Sequence, residues 1–227
     1  MPIDRSSGAR LVAIVCTAQV FVQIGAFYWP ALLPQMMRLW SLDNSQAGWI
    51  TSAFYGAYML SVPVLVTLTD RIDAKRVYLF GVGCTLVAHF AFGLLAEGFW
   101  SAMALRGLAG IGWAGTYMTG LKLLADQVDA KMMSRAVTGH AASIGISGAV
   151  SYMLGDLLAQ AFGWQIAFAS AGLTAAVAWI TVLWPCPAVR RRRPGPRASR
   201  RCSTSARCCA TARPSPTRWP TACTRWR

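Results

Sequence analysis

The sequence predicts an all-α membrane protein, a bundle of six transmembrane helices followed by a disordered Arg-rich C-terminal tail. Three observations point to that class. Apolar residues make up 55% of the 227 positions and charged residues only 13%. The charges are also unevenly spaced: none lies between Arg10 and Arg38, Asp43 and Asp70, Arg76 and Glu97, Arg135 and Asp156, or Asp156 and Arg190, and between Glu97 and Lys122 there is only Arg106. A hydrocarbon core of ~30 Å takes about 20 mainly apolar helical residues, and each gap supplies that length without the polar face of a soluble core helix. Third, Lys and Arg gather in alternate loops. The net charge of +14 describes the tail rather than the body. Residues 1–186 hold ten Lys or Arg against eight Asp or Glu, whereas residues 187–227 hold twelve Arg and no Lys, Asp or Glu.

Taken in order, a short cytoplasmic N-terminus (1–9) precedes spans at 10–33, 47–69, 77–96, 99–122, 136–161 and 166–186. The first is no signal peptide, because its apolar run is too long for an h-region and no small-residue cleavage site follows it. Arg5 and Arg10 precede the first span, Arg71, Lys75 and Arg76 fill the second loop, and Lys131 and Arg135 fall in the fourth. The intervening loops contribute only Arg38. An excess of Lys and Arg marks the cytoplasmic side, so both termini are expected inside a cell (inner or plasma) membrane. Trp40, Trp49, Trp100 and Trp164 then fall at outer span ends, where amphipathic rings favour the interface.

Helix packing is also written in the sequence. The fourth span carries Gly107, Gly110, Gly112 and Gly115, and the fifth carries Ala141, Gly145 and Ala149. In lipid, helices gain little from hydrophobic association, so small residues that admit close backbone approach become contact faces.

The loop between the second and third spans reads Leu68-Thr69-Asp70-Arg71-Ile72-Asp73-Ala74-Lys75-Arg76. It resembles the loop signature of the major facilitator superfamily, G-x-L-a-D-r-x-G-r-[KR], through Leu68, Asp70, Arg71, Lys75 and Arg76. Val66 and Asp73 stand where that pattern has glycines. An acid at the inner end of a helix beside several cations can form a charge-assisted latch; the plainer alternative is an ordinary basic cytoplasmic loop. In the fourth span, Arg106 followed by Gly107-Leu108-Ala109-Gly110-Ile111-Gly112 resembles the same superfamily's R-x-x-x-G-x-G. A charge inside the hydrocarbon costs at least ~2.5–3.5 kcal/mol at the centre, so it marks a pathway or a buried partner unless it snorkels to the interface. Phe162-Gly163-Trp164-Gln165-Ile166-Ala167-Phe168 is similar to the family's G-W-R-x-x-F start of the sixth span, with Gln165 in place of Arg.

The resemblance implies the N-terminal six-helix half of a secondary transporter, built from two inverted three-helix repeats. It further implies movement of a small solute by alternating access, coupled to protons, with no enzymatic chemistry. Asp70, Arg71, Lys75 and Arg76 would form the cytoplasmic gate and Arg106 the buried coupling charge. Because the first and fourth helices border the cavity in this family, Gln19, Gln23, Tyr28, Thr116 and Tyr117 are the candidate cargo contacts; hydrogen bonding to neighbouring helices is the alternative for each. His140 and Asp156 could carry protons, although both fall near predicted span ends, where solvation explains them as well. The expected partners are the lipid bilayer, an unknown small-molecule substrate with protons, and a second six-helix half or a homodimer. The competing class is a non-transporting membrane fragment.

Several lookalikes fail. Gly110-Ile111-Gly112-Trp113-Ala114-Gly115 spells G-x-G-x-x-G, but no strand precedes it. No phosphate-binding G-x-x-x-x-G-K-[ST] exists. With His89 and His140 the only histidines, and no C-x-x-C, neither a metal nor a cofactor is expected. Gly145 is followed by Ile146, so the G-P-x-x-G-G of drug antiporters is absent from the fifth span. Residues 187–227 consist almost only of Arg, Pro, Ala, Ser, Thr, Cys and Trp and cannot build a core. Such a segment could bind nucleic acid or anionic lipid, or anchor the chain on the cytoplasmic side. Its composition is also what a GC-rich gene yields when translated out of frame. An out-of-frame origin is the expectation, with no nucleic-acid partner.

Overall fold

The computed structural model describes residues 5–128 and 130–183. The expectations for the tail at 187–227 and for the end of the sixth span fall outside those residues. All regular structure among the described residues is helical. The first span is two helices, α1 (Arg5–Gln23) and α2 (Tyr28–Leu39), joined by the 3₁₀ turn Ile24–Phe27. The second to sixth spans are α3 (Asn44–Leu68), α4 (Ala74–Leu95), α5 (Phe99–Gln127), α6 (Ala130–Phe162) and α7 (Trp164–Leu183).

Four boundaries depart by five or six residues from the sequence expectation: among them, α1 begins at Arg5 rather than at 10, and α5 runs to Gln127 rather than to 122. The first span ends at Leu39 rather than at 33, because Pro34 is accommodated inside α2. The fifth begins at Ala130 rather than at 136, so Lys131 and Arg135 belong to the helix. A helix does not stop where the hydrocarbon does. Ala9–Leu39, α3, α4, Met132–Phe162 and α7 are each long and apolar enough to cross a membrane. The 29-residue α5 is long enough, but its glycines, Arg106 and Lys122 make it more polar.

Local signals set the helix starts. Asp43 caps α3 in a reciprocal box with Gln46, accepting from Gln46 N at 2.7 Å while Gln46 Oε1 accepts from Asp43 N at 3.1 Å. Asp73, which stands where the family loop has glycine, caps α4 by accepting from Lys75 N at 2.9 Å. The turn before it closes on the Leu68 carbonyl, which accepts from Arg71 N and Ile72 N at 3.0 and 2.9 Å.

In the bundle, α4 packs between α5 and α7, α3 lies along α5, and the first span packs on α6 and α7. Backbones touch where glycine allows it. A methyl group on Gly115 would come within 2.7 Å of Gly81 Cα, one on Gly112 would press on Thr85 and Gly81, and one on Gly110 would strike the Phe54 carbonyl. Gly107 and Gly145 lie outside these contacts: a methyl group at either would meet nothing within 4 Å. They occupy helix faces turned away from a neighbouring backbone, so close packing does not explain them.

Two apolar cores stack along the bundle. One joins Tyr28, Trp29, Leu32, Met36, Ile50, Phe92 and Phe168, and the other joins Leu11, Val15, Tyr78, Val82, Leu123 and Val182. Trp40 and Trp164 turn inward to the first of these cores, packing edge to face with ring centres 5.5 Å apart. Trp49 and Trp100 remain 63% and 74% exposed, as interfacial rings would be. Polar groups lie between and beside the two cores.

Candidate functional site

Pro30 breaks the first span. Lacking an N–H, it leaves the Ala26 carbonyl without its helical donor. The chain tightens into the 3₁₀ turn, and Tyr28 N–H donates to the Gly25 carbonyl, one residue short of its α-helical partner at Ile24. Two carbonyls, Ile24 and Ala26, are thereby released inside the bundle. Side chains from two other spans meet them: Arg106 Nη1 of α5 donates to Ala26 O at 3.3 Å, and the Ser151 hydroxyl of α6 donates to Ile24 O. Freed backbone groups at membrane depth are tolerated only when satisfied in this way. The His89 ring of α4 closes over the turn, and a methyl group on Gly25 would collide with it. His89 Nδ1 lies 2.7 Å from Thr85 O.

Arg106 is 3% exposed, so its guanidinium points into the bundle instead of snorkelling outward. Its Cζ sits 4.2 Å from the centre of the Phe54 ring, a cation–π contact. Lys122 pairs with Asp70 and Asp126, and no carboxylate among the described residues forms an ion pair with Arg106. Two turns further along α5, Trp113 packs against Phe54 and Tyr58 at 5.1 Å each, Tyr55 at 6.2 Å and Phe27 at 6.3 Å. Phe27 also meets Tyr152 of α6. Tyr55 and Tyr152 are about half exposed, so this aromatic cluster reaches the bundle surface.

The candidate cargo contacts from the first and fourth spans are mostly interior. Gln19, Gln23, Tyr28 and Thr116 are all buried, and only Tyr117 is partly exposed. Gln19 Oε1 accepts from the Tyr78 hydroxyl at 3.3 Å, and Gln23 Oε1 accepts from the Ser147 hydroxyl at 3.2 Å. Tyr28 packs against Phe168 and Gly155, and Thr116 donates to Trp113 O at 3.1 Å. Gln19, Gln23 and Tyr28 join helices in this way, whereas the Thr116 hydroxyl bonds back to its own helix. His140 is buried as well, not solvated at a span end. Its ring stacks on Tyr117 with centres 5.0 Å apart, and its Nε2 lies 2.9 Å from Tyr117 O. Asp156 is exposed and accepts from Gln160.

In the α3–α4 loop, Asp70 meets a residue not singled out from the sequence. Its Oδ1 lies 3.9 Å from Lys122 Nζ, which also lies 3.7 Å from Asp126. The i, i+4 pair Lys122 and Asp126 at the end of a span was the available signal. Lys75 Nζ donates to the Leu183 carbonyl at the last turn of α7, 3.0 Å away, while Arg71 and Arg76 are exposed. The loop is therefore tied to α5 by Asp70 and to α7 by Lys75.

The profile of the Major Facilitator Superfamily matches residues 15–226. The human protein spinster homolog 1 is 27% identical over 149 residues, covering 65% of this chain and 28% of its own. The benzoate transport protein of Acinetobacter baylyi is 27% identical over 62% of this chain and 31% of its own, and that organism's 4-hydroxybenzoate transporter PcaK is 27% identical over 78% and 39%. The chain thus spans about a third of the length of these curated relatives. Among solved structures, that of the POT family transporter PepTSo superposes with a TM-score of 0.66 at 16% identity, covering 82% of this chain and 39% of that one.

Proposed function

The chain belongs to the Major Facilitator Superfamily, and on that premise we propose that it forms one six-helix half of a secondary transporter moving a small solute by alternating access, coupled to protons. The observation that carries the proposal is Arg106, a buried cation without a described counter-anion, bonded to the broken first span. Broken helices near the midplane are where transporters of this general kind hold cargo and coupling ions. Asp70, Arg71, Lys75 and Arg76 form the cytoplasmic gate in this proposal, with Lys122 as the direct partner of Asp70. Both termini face the cytoplasm. The opposite wall of the cargo cavity comes from a second six-helix half or from a second copy of this chain.

The transport proposal is tested in proteoliposomes holding the full chain, alone and with any such second half. Solute accumulation driven by an imposed pH gradient and lost in Arg106→Gln supports it. Gradient-independent leakage, or full transport by the variant, removes it.

A further inference from the structure

Proton coupling needs a group that gains and loses a proton, and Arg106 is not one, because a guanidinium stays charged. The described carboxylates, Asp43, Asp70, Asp73, Glu97, Asp126 and Asp156, all reach the surface at least in part. The buried groups that titrate nearest neutral pH are the two histidines, His89 and His140. Their surroundings differ.

His140 is held from one side only. Its Nε2 lies 2.9 Å from Tyr117 O, and a carbonyl only accepts, so Nε2 carries the ring proton. Nδ1 is therefore a bare lone pair, buried and without a hydrogen-bond partner. A proton needs no cavity, only such a lone pair. Its uptake breaks no bond in the protein: Nδ1 takes a proton from solvent, and the imidazolium keeps its Nε2–H to Tyr117 O.

The charge so formed has a ring to rest on. Tyr117 lies nearly parallel to the imidazole, at 16° with centres 5.0 Å apart, which becomes a cation–π stack once the imidazole is charged. The other titratable groups nearby are Tyr78 of α4, which flanks Gly120 together with the imidazole, and Cys16 of α1, which lies against Gly139. The Tyr78 hydroxyl donates to Gln19. Of the cations on the two helices, Arg135 is exposed and Lys122 is held by Asp70 and Asp126, and no described carboxylate pairs with His140. Solvent is close, since Ala141 is exposed and Tyr117 is the one candidate cargo contact that is partly exposed.

His89 differs on each point. It shares with Arg106 a crevice that has no room for a water molecule, so a proton there would set two cations side by side in a dry place. Its stacking neighbour Phe168 is further off, with centres 6.4 Å apart.

We propose that His140 Nδ1 is a proton-binding site of this chain, and that Tyr117, stacked on it, carries the change of charge to the cargo side. The site stands on the geometry of α5 and α6; its role as the coupling group rests on the transport proposal.

The test uses the full chain in lipid nanodiscs, labelled with nitrogen-15 histidine and titrated by NMR from about pH 5 to 8. The chain has two histidines, so either His140→Gln or His89→Gln assigns the spectrum. His140 should pass from the Nε2–H tautomer to the imidazolium within that range, while His89 stays neutral. Tyr117→Leu should lower the His140 midpoint by about half a pH unit, the loss of one cation–π contact, and Tyr117→Phe should restore it. A His140 that stays neutral throughout overturns the proposal, as does titration of His89 alone or a midpoint indifferent to Tyr117→Leu. The wild-type titration decides the site even where the Tyr117 variants do not fold. A neutral His140 in a chain that accumulates solute under a pH gradient overturns this inference and leaves the transport proposal standing. A titrating His140 in a chain that moves no solute keeps the site and removes the transport proposal.

Discussion

Arg106 Nη1 donates to the Ala26 carbonyl across 3.3 Å, joining the fourth span to the one point where the first span is broken. The bond exists because Pro30 cannot donate to Ala26. A proline in one helix and an arginine 76 positions later therefore form one structural unit.

Replacing Arg106 by Ala should separate stability from function. The buried Ala26 carbonyl loses its donor, which costs about 1–3 kcal/mol. Against that, a charge is removed from a place where holding it costs ~2.5–3.5 kcal/mol. The two terms nearly cancel, so thermal unfolding in detergent should shift little while solute movement is lost. A large fall in melting temperature, or wild-type transport, contradicts this assignment.

The glycines should divide into two sets. Gly115→Leu drives a side chain into the Gly81 backbone, and overpacking of this kind costs about 1–3 kcal/mol or more. Gly107→Ala and Gly145→Ala meet open space and should be neutral or stabilising by up to ~1 kcal/mol, since Ala is the better helix former. Melting temperatures of the three variants check the division.

The Asp70 and Lys122 pair is exposed enough that its contribution to stability should be small. A double-mutant cycle with Asp70→Asn and Lys122→Gln should return a coupling of about 0.2–1 kcal/mol, shrinking as salt is raised. Transport should respond more than stability does. Asp70→Asn slows it without loss of protein from the membrane, and the exchanged pair Asp70→Lys with Lys122→Asp recovers it. Unchanged transport in Asp70→Asn would sink the gate assignment.

Orientation can be read by cysteine labelling. Arg71 lies in the exposed α3–α4 loop, and Trp100 is 74% exposed at the start of α5. In intact cells a membrane-impermeant maleimide should label Trp100→Cys directly, and Arg71→Cys only after permeabilisation. The reverse pattern would invert the proposed topology.

The helices and their order were readable from sequence, because charge-free gaps and loop cations are local facts about what hydrocarbon tolerates. Asp43 with Gln46 and Gly110 near Arg106 were likewise visible as a cap signal and a small-residue face. The break in the first span was only half visible. Pro30 and Gly25 stand in the sequence as its cause, yet an apolar run reads as one helix when only hydropathy is followed. Lys122 went unnoticed for a related reason, since one cation at a span end looks like an ordinary anchor until Asp70 is brought beside it.

Gln19, Gln23, Tyr28 and Thr116 mark the limit of sequence reasoning most clearly. Composition identified them as polar residues inside spans, but a polar side chain has two equally local explanations, a wall or a seam. Which holds depends on helix rotation, and rotation is set by contacts distant in sequence, such as Gly81 against Gly115 and Ser147 against Gln23. The sequence by itself determined that this chain spans the membrane as a helical bundle carrying a cation in its fourth helix, because the cost of polar atoms in lipid acts on each segment separately. Only the tertiary structure decided that this cation meets the Ala26 carbonyl and faces the rings around Trp113. Those partners come from different spans, and they meet only when the helices pack.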